Sequence, residues 1–142
     1  MYLQDFHIGQ QFDIPPVTIA KDKMIAFARD YDPLPLHLDE DFAKTTTFKG
    51  LIAPGVMSFM AVWSEFVKMN LWTDSLIAGR STTIEWFEPV YAGDVLSGHA
   101  YVTGLHQNRP GTGIIEVAVD IYNQRKALAI RDITQAVLKV KP

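Results

Sequence analysis

Residues 54–72 read PGVMSFMAVWSEFVKMNLW, and the fold turns on how this stretch is placed. Pro54 suits the first helical position, where its missing N–H forfeits no bond. Val56, Met57, Phe59, Met60, Val62, Trp63, Phe66, Val67, Met69 and Leu71 then point in nearly every direction around a helical axis. A helix that is apolar on all sides is buried on several of them. At about 1.5 Å per residue it runs roughly 25 Å, the span of a small domain. The stretch therefore predicts a central helix with the remaining chain folded around it.

The chain beyond this helix is strand-like. Residues 80–88, 94–107, 113–124 and 127–140 alternate apolar with polar or small side chains. The clearest is GIIEVAVDIYN, which puts Ile115, Val117, Val119 and Ile121 on one face. NRPGTG at 108–113 reads as a turn, residues 124–126 as a hairpin tip, and a slip in the alternation near Arg131–Thr134 as a bulge. Upstream, residues 10–18 form a strand that Pro15 and Pro16 confine to an edge or a bulge. Residues 21–30 carry Met24, Ile25, Phe27 and Ala28 at helical spacing, and Asp39 can cap a short helix over DEDFAKT. Four strands in meander after one buried helix, plus the N-terminal strand, predict an α+β protein: a curved antiparallel sheet wrapped around a long central helix, the hot-dog architecture. An uncovered sheet edge favours pairing of two copies.

Composition bounds the function. The chain has 142 residues, 48% of them hydrophobic and 20% charged, with a net charge of −3. That fits a single globular domain over 1–142 and argues against nucleic acid, which favours a basic face. No cysteine is present, so disulfides, thiolate catalysis and cysteine-ligated metal are excluded. MYLQDFHIGQ at the N-terminus lacks the regions of a signal peptide, and the longest uncharged stretch is too short to span a bilayer. No membrane partner and a cytoplasmic location are expected.

The chemistry concentrates in residues 30–39, DYDPLPLHLD. Pro33 and Pro35 separate Asp32 from His37 among leucines, in a stretch that the prolines keep from being helical. A solvated loop has no use for Leu34, Leu36 and Leu38, and a core segment has none for Asp32 or His37. An acid–imidazole pair beside an apolar surface suits proton transfer on an apolar substrate. Its bland alternative is a turn-stabilising hydrogen bond. His7, His99 and His106 have no partner at ligand spacing and read as surface or strand histidines. Asp39, Glu40 and Asp41 read as helix-start acids, not as a metal site.

FARDYDPLPLHLDEDFAKTTTFKGLIAPG resembles the hydratase motif of the MaoC-like dehydratases and R-specific enoyl-CoA hydratases, and FEPVYAGDVLSGHAYV resembles the strand–turn–strand found after the helix in that family. The motif's aspartate falls on Asp32, its proline on Pro35, its histidine on His37 and its glycine on Gly55. Tyr31, Leu34 and Pro54 depart from the motif, standing where it has glycine, asparagine and histidine. The resemblance implies interconversion of a trans-2-enoyl thioester, of CoA or an acyl carrier, with its 3-hydroxyacyl form. It needs no cofactor and no metal. Asp32 and His37 would manage the protons, and the Gly55 N–H at the helix start would receive the developing oxyanion. Since residues of the central helix help shape the family's acyl pocket, Phe59, Met60 and Trp63 are the expected substrate contacts, together with Leu34. Trp63 would then hold the chain to roughly four to six carbons, a tunnel blocked within one helical turn. A hot-dog thioesterase and a non-catalytic acyl-thioester-binding dimer remain as alternatives.

Overall fold

The computed structural model describes residues 1–142. After a 3-10 turn at Leu3–Asp5 come β1 (Gln11–Thr18), α1 (Lys21–Tyr31), α2 (Pro35–Leu38), α3 (Glu40–Lys44) and α4 (Gly55–Lys68). The rest is β2 (Leu76–Trp86), β3 (Val95–Arg109), β4 (Thr112–Tyr122) and β5 (Leu128–Lys139). The strands form one antiparallel sheet in the order β1-β3-β4-β5-β2. This is the α+β hot-dog architecture expected from the sequence.

α4 lies on the sheet through its narrowest point. A methyl group on Gly98 of β3 would stand 2.7 Å from Val62 Cγ1 and 2.8 Å from Ile14 Cδ1, so only glycine lets helix and strand approach this closely. Gly98 therefore marks the helix-facing side. Residues paired directly across an antiparallel ladder project to one face, which puts Ile121, Ile130 and Trp86 on that side in one row. The next rows carry Ala100, Val119, Asp132 and Ile84, then Val102, Val117, Thr134 and Thr82. Ile115, Val117, Val119 and Ile121 share the core face as read from the sequence, each almost fully buried.

Three expectations need correction. The helix begins at Gly55, with Pro54 as its N-cap in an extended conformation, and ends at Lys68, because Asn70 takes a positive φ of 58° and turns Trp72 back into the core. As expected, α4 is buried on several sides and not on all: Val56, Met60 and Val67 are about half exposed. Only β3, β4 and β5 form a meander, while β2 pairs with β5 at the far edge. The connection over residues 87–94 holds Pro89 and an antiparallel bridge from Tyr91 to Ile52, which a tight hairpin has no room for. Finally, the β4–β5 ladder is regular through Arg131–Thr134. The alternation slips there because Asp132 and Thr134 point inward, where their polar groups bond each other and Thr82. A bulge does occur between Ile14 and Val17, at Pro15 and Pro16.

Candidate active site

Asp32 and His37 reach each other because two prolines shape the chain between them. Asp32 is the C-cap of α1, its N–H bonded to Ala28 O at 2.9 Å. Leu34 is extended, as a residue before proline tends to be, and Pro35 occupies the first position of α2. The stretch read as non-helical thus contains one helical turn, because proline is excluded from helix interiors but not from the first turn. That turn buries His37 and brings its Nε2 to 3.2 Å from Asp32 Oδ2.

The other ring nitrogen fixes the tautomer. His37 Nδ1 lies 2.7 Å from the carbonyl oxygen of Ile52. A carbonyl only accepts, so Nδ1 carries hydrogen. In the neutral ring Nε2 is then a lone pair facing a carboxylate, two acceptors at hydrogen-bond distance. Such a contact is a hydrogen bond only when a proton lies between the two, which makes it a geometry through which a proton can pass. The segment supplying Ile52 is itself tied down. Ala53 N–H donates to Val90 O at 2.7 Å, and Tyr91 Oη donates to Phe48 O at 2.8 Å.

Three residues beyond Ile52, α4 begins. No side chain caps this end, so the first N–H groups, Gly55 foremost, have no intrahelical partner and lie at the positive end of the helix dipole. Asp32, His37 and Gly55 line one cavity of about 440 Å³, whose apolar walls include Phe48, Ile52, Val56, Trp86, Phe87 and Val90.

The residues expected at the acyl chain lie elsewhere. Phe59 is buried in the core, and Trp63 packs beside it at 5.8 Å between ring centroids, with Phe66 at 5.1 Å and Trp72 at 6.4 Å. Met60 lines a separate groove against Lys23 and Phe27 of α1. Leu34 is half exposed and outside the cavity wall. Phe59 and Trp63 thus meet the core, and Met60 faces away from it into the other groove. Sequence reasoning missed Ser58, Trp86 and Phe87. Ser58 is a fully buried cavity residue whose Oγ donates to Pro54 O at 3.3 Å; a lone polar residue among the core positions of the helix was its signal. For Trp86 and Phe87 the signal was two successive aromatics before Pro89, which strand alternation cannot place on one face. Of the remaining histidines, His99 is a strand residue as read, but it does have a carboxylate partner, Asp13 Oδ1 of β1 at 2.7 Å on the exposed face.

A sheet curled around one helix, with an acid–imidazole pair beside that helix's N-terminus, defines a hot-dog protein. The MaoC like domain family matches residues 5–124, and the chain belongs to that family. It is 31% identical over 127 residues to the uncharacterized protein YdeM of Bacillus subtilis, spanning 89% of this chain and 90% of the relative. It is 29% identical over 141 residues to the (R)-specific enoyl-CoA hydratase of Aeromonas caviae, spanning 99% of both. Among solved structures, the MaoC-like dehydratase of Rhodospirillum rubrum superposes with a TM-score of 0.89 at 29% identity, covering 100% of this chain and 99% of that one.

Proposed function

We propose that the protein adds water to, or removes it from, an enoyl or 3-hydroxyacyl thioester, most simply of CoA. The observation that carries this is the Asp32–His37 contact of 3.2 Å inside the cavity that opens on the N-terminus of α4. In hydration the oxygen of water bonds to C3 of the enoyl group, the pair takes up one of its hydrogens, and the pair delivers one proton to C2. The pair gives up one proton and takes one up, so it ends as it began, and the 3.2 Å separation lets a proton pass between the two groups. Proton transfer of this sort contributes roughly 10²–10⁴-fold. While the bond to C3 forms, negative charge gathers on the thioester oxygen, and the free N–H of Gly55 offers it a preorganised donor. The apolar walls suit the acyl chain.

The relationship to an (R)-specific enoyl-CoA hydratase over nearly the full chain supports the same reading. A thioesterase would also use a helix N-terminus, but it breaks the bond to sulfur. The test measures both products from one substrate: crotonyl-CoA should lose its enoyl absorbance without release of free thiol. Thiol release matching the absorbance loss would make the protein a thioesterase, and binding without either change would make it non-catalytic.

A further inference from the structure

Trp86 lies on the sheet row that runs beneath α4 and ends at the helix start. Its indole covers Gly55: a methyl group there would stand 2.5 Å from Trp86 Cε2 and 2.6 Å from Nε1. Glycine at this position therefore admits the indole, and does not merely leave space for a carbonyl. The same side chain forms a wall of the cavity that holds Asp32 and His37, yet it is half exposed, so the fold does not need it as core. Val56 and Phe87 of the same cavity are also about half exposed, whereas other walls are fixed. Ala53, Ser58 and Val90 are at most 5% exposed and locked into the interior, where packing leaves little spare volume. The cavity can lengthen only where a large, half-exposed side chain closes it, and the largest one there is this indole.

We propose that Trp86 sets the acyl-chain length the site accepts, its indole closing the cavity beside Gly55. This rests on the acyl-thioester reading above and moves chain-length control from the central helix to the end of an edge strand. The probes are S-butyl-CoA and S-decyl-CoA, thioethers that neither hydration nor hydrolysis consumes, titrated calorimetrically into the full chain. In the wild type the decyl compound should bind no more tightly than the butyl one. In Trp86→Ala it should bind at least about tenfold more tightly, the gain from burying two or more further methylenes. Trp86→Phe should shift the ratio less in the same direction, and it keeps the test alive if the alanine variant fails to fold. An unchanged decyl-to-butyl ratio in the variants, or a wild type that already prefers decyl tenfold, overturns the proposal. Failure to bind either compound overturns both the wall and the acyl-thioester site. Enoyl absorbance on crotonyl-CoA, followed on the same preparations, separates the two ideas: binding without turnover sinks the hydratase reading and leaves the ratio to decide on Trp86.

Discussion

His37 gives its Nδ1 hydrogen to Ile52, and that one bond decides which nitrogen faces Asp32. The sequence carried the pair but not this anchor, since Ile52 lies 15 residues away and any backbone carbonyl could have served. Asp32 and His37 were legible because proline geometry is local, whereas Trp86 depends on a sheet row assembled from four strands. One of the buried acids outside the cavity carries a separate pH dependence. Asp132 is fully buried on β5 and accepts from Thr134 Oγ1 at 2.6 Å and from the Thr82 hydroxyl. Burial raises its carboxyl above the ordinary value, and the two hydroxyls only partly offset this. The folded chain therefore holds that proton more tightly than the unfolded chain does. Stability falls as pH rises from the ordinary carboxylate value, about 3.9, through the raised folded one. Asp132→Asn removes the ionisation and keeps a polar partner for both threonines. Urea unfolding should find the variant more stable than wild type near neutral pH and little different at about pH 3. The opposite ordering at neutral pH would show that the carboxylate is net stabilising.

At the scale of elements, α4 and β3 meet through Gly98, and their fit allows a direct test. Gly98→Ala forces a methyl against Val62 and Ile14, both buried at the centre of the core. Overpacking of this kind costs about 1–3 kcal/mol, which should appear as a lower urea midpoint with an unchanged slope. A variant as stable as wild type would mean that helix and strand are more loosely apposed than the geometry gives. Every strand, and every helix but the single turn of α2, had a local signature in the sequence, but strand order did not. β2 alternates well enough to be read as part of a meander, and only the Pro89 connection and the Ile52–Tyr91 bridge divert it to the far edge. The length of α4 was overread for a related reason. Met69, Leu71 and Trp72 are apolar because they reach the core, which a turn after Asn70 achieves as well as a longer helix does.

The whole molecule has two sheet edges, and they are unlike. β1 is blunted by Pro15, Pro16 and a bulge, whereas β2 offers eleven residues without proline, all exposed except Ile84, which is half-buried. Leu76, Ile77 and Trp86 on β2 are each at least 40% exposed, an apolar edge of the kind soluble proteins cover. Two copies are expected to join through β2 with their α4 helices on the same side of the shared sheet. Light scattering should find twice the 16.0 kDa chain mass at micromolar concentration, and a monomer there would refute the pairing. The proposed hydration of an enoyl thioester is tested most directly by turnover. The rate of crotonyl-CoA hydration is measured for wild type, Asp32→Asn and His37→Ala, with circular dichroism confirming each fold. Each substitution should lower the rate by at least about a hundredfold, and a folded variant that keeps near wild-type activity would contradict the account.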